Sequence, residues 1–373
     1  MAPPEKEVVV GAGAAGLGAA IATETHGELG DVAIRARGYW ELVWIRFRRD
    51  RVAIASGVFI ILLVLVAFAG APIAKHYLGH GPNDIFPMAV DVNLNPAPAW
   101  TRVPNTHGVV TVTPHTPRTL FVLGAGDQVG HDLFLRVLAG GRTSLEIALG
   151  AASLAVLIGV IVGLLAGYYG RWLDAIVTRV TEFVMGFPIL LFVIAVGFTL
   201  SDRLQRITLG GHLAHGVISL IVVIGLFSWF YPARIVRAQV LTLRKSEFVE
   251  AARMVGAGDL RIIRKHLLPH VLETIIVYGT LMVAATMFLE AGLSYLNVGI
   301  EAPDATWGNL IAQHYGTLLF LGAPHQEGGG PPVVTYNLLW ATGLPTIGIL
   351  VVVFSFSLLG EAVRNALDPR GRV

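Results

Sequence analysis

The sequence predicts an all-α polytopic membrane protein with six transmembrane helices. Hydrophobic residues make up 54% of the 373-residue chain and charged residues only 14%, whereas an ordinary soluble domain is about 25% charged. Residues 52–74 and residues 147–170 contain no Asp, Glu, Lys or Arg. Each of these runs is long enough to cross the hydrocarbon core of a bilayer, which takes about 20 helical residues.

Apolar segments of sufficient length give six predicted spans, at residues 52–74, 144–169, 175–200, 213–231, 271–296 and 338–360. The fifth span is interrupted, because Glu273 and Glu290 leave only 16 uncharged residues between them. A carboxyl group in the hydrocarbon region is costly. We therefore expect Glu290 to lie near the outer interface or to face a wet cavity inside the bundle.

The distribution of Lys and Arg predicts the orientation of these spans, because basic residues accumulate on the cytoplasmic side. Six arginines lie within residues 35–51, whereas the segment between the fifth and sixth spans has three acidic residues and no Lys or Arg. Residues 232–270 hold eight Lys and Arg residues against three acidic ones. Both termini and the 232–270 loop are therefore predicted to be cytoplasmic.

The spans and loops divide the chain into four predicted parts. Residues 1–50 form a partly disordered cytoplasmic tail, and residues 51–143 form the first span with a Pro-punctuated, irregular or β-containing extracytoplasmic insertion. Residues 144–361 form the core of five further spans, with the loop 232–270 inside it. Residues 362–373 form a cytoplasmic C-terminal tail.

An enzymatic function is disfavoured by the same sequence. Gly11, Gly13 and Gly16 have the spacing of a dinucleotide-binding fingerprint, but the 50 residues before the first span are too few for the parallel sheet that it requires. A membrane-bound flavoenzyme is therefore a minor hypothesis. The chain has no Gly-Lys pair, and hence no Walker A loop, and no cysteine. Its histidines have no carboxylate cluster beside them, so no metal site and no catalytic residue are predicted.

The first half of the segment 244–271 predicts a short amphipathic helix. Ser246 is a candidate N-cap, and Phe248, Ala252 and Val255 share one helical stripe. Gly256 can end this helix in the left-handed conformation that glycine adopts without strain.

The second half of this segment predicts another short helix, which leads into the fifth span. Asp259 is its candidate cap, Leu260, Ile263 and Leu267 form its apolar stripe, and Pro269 marks the entry to the span. A cytoplasmic helix pair with exposed apolar residues requires a receiving surface on another protein.

The sequence EAARMVGAGDLRIIRKHLLP in this segment resembles the EAA loop of binding-protein-dependent ABC import permeases. The residues that carry this resemblance are Glu250, Ala251, Ala252, Gly256, Leu268 and Pro269. The segments GRTSLEIALGAASLAVLIGVIVGLLAGYYG, FLEAGLSYLNVGIEAPDATWGNLI and LLGEAVRNALDPR are similar to the C-type permease subunit of the oligopeptide/dipeptide/nickel branch. His131 stands where this family tends to have an arginine, and the first 35 residues have no counterpart in it.

This resemblance implies the fold of a type I importer transmembrane domain in the plasma (inner) membrane of a prokaryote. It implies a homologous B-type permease as partner, two ABC ATPase subunits that bind ATP and Mg, and an extracytoplasmic solute-binding protein. This chain itself binds no cofactor and no nucleic acid, and it contacts membrane lipid. The cargo implied is a peptide or a similar small solute.

The resemblance also implies roles for single residues. The helix bearing Phe248 and Glu250 docks in a groove of the ATPase, where Ala251 and Ala252 allow close packing and Gly256 supplies the turn. Leu268 and Pro269 complete the motif at the start of the fifth span.

Three further residues have two interpretations each. Glu290 has a packing or gating role, or couples protons. Pro188 in FPILL kinks a helix that lines the translocation pathway, or is a plain helix bend. Trp307 meets the docking solute-binding protein, or anchors a helix at the headgroups. An ion-coupled secondary carrier is the alternative function; it requires internal repeats and paired intramembrane charges, which the sequence does not display.

Overall fold

The computed structural model describes residues 44–45, 47–91, 96–105, 116–195, 216–319 and 337–367. The chain divides into two units, Met1–Ile45 and Arg46–Val373, and the findings below concern the second. The glycine fingerprint, most of the predicted N-terminal tail, residues 196–200 and 213–215 of two predicted spans, and residues 368–373 of the predicted C-terminal tail lie outside the described residues.

Helices dominate the described part of the chain. They are α1 (Arg51–Leu78), α2 (Leu133–Tyr169), α3 (Arg171–Met185), α4 (Ile189–Ala195), α5 (Val217–Leu226), α6 (Phe230–Leu243), α7 (Glu247–Met254), α8 (Asp259–Ile262), α9 (Leu268–Tyr295), α10 (Trp307–Leu319) and α11 (Asn337–Leu367). A π-helical turn, Ile263–Leu267, joins α8 to α9. Two short strands, β1 (Thr101–Pro104) and β2 (Arg118–Phe121), pair antiparallel.

Four helical segments among the described residues are long and apolar enough to cross a membrane: α1, α2, Asp259–Tyr295 and Leu339–Leu367. The number rises to six if each of two bent pairs is one span, namely α3 with α4 and α5 with α6. The predicted all-helical membrane fold is therefore confirmed.

The third predicted span, 175–200, is not one continuous helix. It is broken between α3 and α4, whose axes differ by 89°, at the sequence Gly186-Phe187-Pro188. Proline has no backbone N–H to donate to the preceding turn and disfavours the helical conformation of the residue before it. Pro188 thus lies at a helix break much sharper than a plain bend.

Two helix boundaries also differ from those predicted. Helix α2 begins at Leu133 rather than near residue 144, because the carboxylate of Asp132 caps it by accepting hydrogen bonds from the backbone N–H groups of Phe134 (2.8 Å) and Leu135 (3.3 Å). Helix α6 continues to Leu243, so the first part of the predicted loop 232–270 is helical. Pro232 is tolerated there because it lies in the first turn of α6, where the N–H group has no helical acceptor.

Helix α2 is the centre of the bundle, since its side chains enter three hydrophobic clusters. Leu145, Ala148 and Ala152 pack with α1, α9, α10 and α11. Other α2 residues, Ile147 and Ala151, pack with α4, α5 and α9. At the end that carries residues 244–267, called the loop end below, Leu164 and Tyr168 pack with α6, α7, α8 and the π-turn.

A row of three glycines brings α2 into backbone contact with α6. Gly159, Gly163 and Gly167 recur every four residues and so lie on one face of the helix. A Cβ atom built on Gly159 or Gly163 would lie 2.7 Å from the carbonyl oxygen of Trp229 or Ala233, respectively. Glycine therefore permits an approach that no larger residue allows, as in other closely packed membrane helices.

The insertion between α1 and α2 forms a small core at the opposite end of the bundle, called the insertion end below. Thr101 of β1 pairs with Phe121 of β2, and the strands cover a core of Phe86, Ala89, Val103, Phe121 and Ala125. The prediction of a β-containing insertion agrees with these two strands.

His80 joins three elements of this insertion end. Its Nε2 atom lies 2.9 Å from a carboxylate oxygen of Asp132, the cap of α2, and its Nδ1 atom lies 2.9 Å from the Thr119 hydroxyl of β2. The Nδ1 atom is also 3.1 Å from the carbonyl oxygen of Leu78, the last residue of α1. Burial alone would lower the pKa of His80, but the hydrogen bonds to Asp132 and Leu78 outweigh it and raise that pKa above its usual value.

The glycine contact between α2 and α6 predicts that adding one methyl group lowers stability at this contact but not at a glycine that lacks such a contact. Gly163→Ala should destabilise the protein by about 1–3 kcal/mol, because the added Cβ meets backbone atoms of α6. Gly279→Ala in α9 is the matched control, since its Cβ meets no described atom within 4 Å. The measurement is thermal unfolding of both variants in detergent, and equal melting temperatures would contradict the proposed contact.

The raised pKa of His80 predicts pH-dependent stability. Because the folded-state pKa lies above the unfolded value of about 6.5, the stabilisation is complete below that pH and is lost as pH rises through the folded-state pKa. His80→Gln should remove this dependence, whereas the control His76→Gln, at an exposed position of α1, should retain it. Melting temperatures measured across about pH 5.5 to 8 test this, and the same slope in both variants would refute it.

Candidate functional site

The loop end of the bundle is built around the hairpin of α7 and α8. Ser246 occupies the predicted N-cap position of α7 in an extended conformation, but its hydroxyl donates to the carbonyl of Leu243 and makes no capping hydrogen bond. Glu247 and Glu250 lie in the first turn of α7, where negative charge is favourable. Gly256 then reverses the chain with φ = 84°, the left-handed conformation that the sequence predicts.

The buried face of this hairpin differs in part from the predicted stripes. Val249, Ile262, Ile263 and Leu267 are buried against α2 and α6, while Phe248 and Ala252 are half-buried beside them. Two other members of the predicted stripes, Val255 and Leu260, are highly exposed, as expected of apolar residues that a second protein receives. Helix α7 ends at Met254, so Val255 no longer continues its helical stripe. Helix α8 is only four residues long, and the π-turn that follows it changes the helical register.

The exposed end of the hairpin is apolar. Met254, Val255 and Leu260, called the tip below, are 82%, 88% and 77% exposed. Large apolar side chains that are exposed on both sides of a turn are typical of a surface that another protein covers. Glu250 and Ala251 are also exposed, on the solvent side of α7.

The last two motif residues lie where the hairpin enters the bundle. Leu268 packs at the edge of the buried cluster, and Pro269 is the second residue of α9. A proline at this position removes a hydrogen bond to the preceding turn, and that preceding turn is the π-helical one. The prediction that Pro269 marks the entry to the fifth span is in agreement with this position.

Helix α2 meets the hairpin through Tyr168, which the sequence reasoning missed. The Tyr168 hydroxyl donates a 2.7 Å hydrogen bond to a carboxylate oxygen of Asp259. Asp259 is therefore not a cap; it is the first residue of α8, and Gly258 takes the capping position. The only sequence signal was a tyrosine at the end of an apolar span, and it does not identify a partner 91 residues away.

Two arginines of the α6–α7 region reach the same end of the bundle. Arg244 donates to the carbonyl oxygens of Gly167 (3.1 Å) and Tyr168 (3.3 Å) at the end of α2, which neutralises the partial negative charge of a helix C-terminus. Arg237 of α6 binds Asp174 of α3 through two N–H groups. Both contacts tie neighbouring helices to the segment that leads into the hairpin.

Glu290, on α9, is fully buried at the insertion end. Its carboxylate accepts hydrogen bonds from the hydroxyls of Ser144 (3.1 Å, α2) and Ser294 (2.9 Å, α9). The Ser144 oxygen also accepts the backbone N–H of Trp307, the first residue of α10. Glu290 therefore lies at the junction of three helices, and its gating role stays a prediction.

Trp307 packs inside the same junction. It is 8% exposed, its indole N–H donates to the carbonyl of Val137, and its ring contacts Gly141 of α2 and Gly348 of α11. Most of the indole is inaccessible in this conformation. A contact of Trp307 with a binding protein stays a prediction.

His131, which stands where the resembling family tends to have an arginine, joins a polar cluster before α2. Its Nδ1 atom lies 2.6 Å from Asp127, whose carboxylate also accepts from Arg136 (2.9 Å). Burial would raise the pKa of Asp127, but the hydrogen bonds from His131 and the nearby charges of His131 and Arg136 lower it well below its usual value. Asp127 is therefore held ionised.

Comparison with known proteins agrees with this architecture. Residues 159–373 match the family model described as binding-protein-dependent transport system inner membrane component. Residues 38–96 match the N-terminal transmembrane domain of oligopeptide transport permease C.

Curated relatives extend the similarity over most of the chain. The dipeptide transport system permease protein DppC of Bacillus subtilis is 31% identical over 94% of this chain and 91% of its own. The oligopeptide permease OppC of the same organism is 29% identical over 94% and 96%. The glutathione transport system permease protein GsiD of Pectobacterium atrosepticum is 29% identical over 89% and 91%.

The helical membrane bundle with its exposed hairpin, together with these matches, makes the chain a multi-pass transport permease. Within that class, the chain belongs to the family of binding-protein-dependent transport system inner membrane components. It is thus a permease component of an ABC importer. The secondary-carrier alternative is not favoured by any of these relatives.

The contacts of Glu290 predict that two substitutions at this position lower the stability of the protein by different amounts. Glu290→Ala should destabilise the protein by about 2–4 kcal/mol, because it leaves two buried hydroxyls without their acceptor and opens a cavity. Glu290→Gln retains an acceptor oxygen and should cost less. Thermal unfolding in detergent measures both, with Glu361→Ala at an exposed site of α11 as control. Equal losses for Glu290→Ala and the control would exclude this structural role.

Proposed function

We propose that the chain is one half of the translocation pathway of a peptide importer. It pairs with a homologous B-type permease, receives cargo from an extracytoplasmic solute-binding protein and is driven by two separate ABC ATPase subunits. The names of its relatives, which include dipeptide, oligopeptide and glutathione permeases, support peptides or peptide-like solutes as cargo. ATP and Mg bind to the ATPases, because this chain has no Gly-Lys pair for a phosphate-binding loop.

The observation that carries this proposal is the apolar tip of the α7–α8 hairpin. Its side chains protrude although the rest of the hairpin is packed on α2 and α6. A groove on an ATPase that receives the tip removes this apolar surface from water, which is worth about 25 cal/mol per Å². The excess of Lys and Arg in residues 232–270 supports a cytoplasmic position for the hairpin, where ATP is available.

The predicted motif residues have compatible positions for docking. Glu250 and Ala251 face solvent beside the tip, where Glu250 can pair with a basic residue of the groove and Ala251 can approach its wall. Gly256 allows the two helices to leave the turn in opposite directions. Phe248 and Ala252 support the hairpin from its half-buried side.

Site-directed cross-linking tests the docking of the tip. Because the chain contains no cysteine, Val255→Cys provides a single attachment site for a photoactivatable benzophenone maleimide. We expect illumination of the assembled importer to cross-link this position to an ATPase subunit. If the ATPase is bound at saturating concentration before the maleimide is added, it should protect Val255→Cys from labelling.

The control for this experiment is Tyr77→Cys at the insertion end of α1, where the native side chain is 84% exposed. Its exposure matches that of Val255, but the opposite end of the bundle should meet no ATPase. A cross-link from Tyr77→Cys and none from Val255→Cys would reverse the proposed orientation. Absence of both would remove the docking role of the tip.

A further inference from the structure

The hairpin rests on the end of α2 through one buried aromatic side chain. Tyr168 is 5% exposed in the cluster formed by α2, α6, α7 and α8, and its hydroxyl reaches a carboxylate of the hairpin. At the hairpin, the hydroxyl donates a hydrogen bond to Asp259 at 2.7 Å. A hydrogen bond to a carboxylate is shorter and stronger than one between neutral groups.

The same tyrosine contacts both arms of the hairpin. Asp259 is the first residue of α8, whereas Arg253 lies in the last turn of α7 with its guanidinium 5.5 Å from the centre of the Tyr168 ring. Gly256 and the turn separate these two arms. A movement of either arm therefore changes a contact of the same α2 residue, Tyr168.

The end of α2 is also fixed to the segment that enters the hairpin. Arg244, just before α7, donates to the carbonyl oxygens of Gly167 and Tyr168. Gly163 and Gly167 bring the backbone of α2 against α6 in the same region. The last two turns of α2 thus contact the segment before α7 and both arms of the hairpin.

Helix α2 in turn reaches the rest of the bundle. Its residues lie in the cluster with α1, α9 and α11 and in the cluster with α4 and α5. Close-packed interiors have low compressibility and transmit strain. A shift at the loop end of α2 therefore displaces the helices that pack around it.

We propose that the Tyr168 hydroxyl is a positioning contact that couples the movement of the hairpin to α2, through Asp259. The inference rests on the proposed docking of the hairpin on an ATPase. Tyr168 contacts no cargo and no nucleotide in this proposal. It holds the hairpin in one register on α2, so that closure of the ATPases moves the membrane helices and not the hairpin alone.

The test compares Tyr168→Phe with Tyr169→Phe. Both substitutions remove one hydroxyl from adjacent tyrosines, but the ring of Tyr169 is half exposed and lies outside the buried cluster. Each variant is reconstituted in proteoliposomes with the partner permease, the ATPases and the binding protein. Uptake of tritiated dialanine, tetra-alanine and glutathione is measured together with ATP hydrolysis.

We expect Tyr168→Phe to lower cargo taken up per ATP hydrolysed by roughly five- to tenfold, the effect of losing one hydrogen bond in the coupled state. ATP hydrolysis should continue, and Tyr169→Phe should keep the wild-type ratio. A purely structural role would lower the amount of assembled protein and leave the ratio unchanged.

Asp259 provides a second, independent pair of variants. Asp259→Asn keeps an oxygen that accepts the tyrosine hydroxyl and should retain most of the coupling, whereas Asp259→Ala should match Tyr168→Phe. The double variant Tyr168→Phe/Asp259→Ala should be no worse than either single variant, since both remove the same contact. Additive losses would show that the two residues act separately and would overturn the proposal.

The outcomes distinguish this inference from the function on which it rests. Wild-type uptake with an unchanged ratio in Tyr168→Phe overturns the inference and leaves the importer intact. No ATP-dependent uptake of any of the three probes by the wild type counts against the peptide cargo, and loss of the Val255→Cys cross-link counts against the docked hairpin.

Discussion

The backbone contact between α2 and α6 is the constraint on which the rest of the bundle depends. Three glycines at intervals of four residues, Gly159, Gly163 and Gly167, let the two helices approach until a Cβ atom would meet main-chain atoms. In lipid, hydrophobic burial adds little to helix association, so close van der Waals packing of this kind supplies much of it. Since α6 leads directly into the α7–α8 hairpin, the same contact also fixes where that hairpin lies.

The hairpin combines a rigid base with an exposed end. Val249 and Ile262 are buried on α2 and α6, and Tyr168 and Arg244 add polar contacts between the hairpin and the end of α2. The tip on either side of Gly256 is instead highly exposed. The proposed docking on an ATPase needs both properties, because a flexible base would absorb the movement of the partner and an apolar end provides the surface that the partner covers.

Polar contacts at the insertion end add to the apolar clusters that hold the same elements. Asp132 caps α2 and accepts from His80, which also contacts the end of α1 and strand β2. Glu290 accepts hydrogen bonds from one hydroxyl of α2 and one of α9, beside the start of α10. Buried polar groups of this kind require specific partners, so they fix the positions of the segments that carry them more strictly than apolar contacts do.

The sequence by itself determined the membrane class, the six apolar segments, the β-containing insertion and the glycine turn at position 256. These features follow from composition, from runs of apolar residues and from local backbone preferences, all of which act over a few neighbouring residues. The family motif around Glu250 was likewise readable from adjacent residues.

Only the tertiary structure decided which faces are buried. It left Val255 and Leu260 exposed but buried Ile263 and Leu267, which belong to the same predicted stripes, because the end of α7 and the π-turn before α9 altered the helical period. It also paired Tyr168 with Asp259 across 91 positions. Such outcomes depend on how separate helices fit together, and no local pattern contains that information.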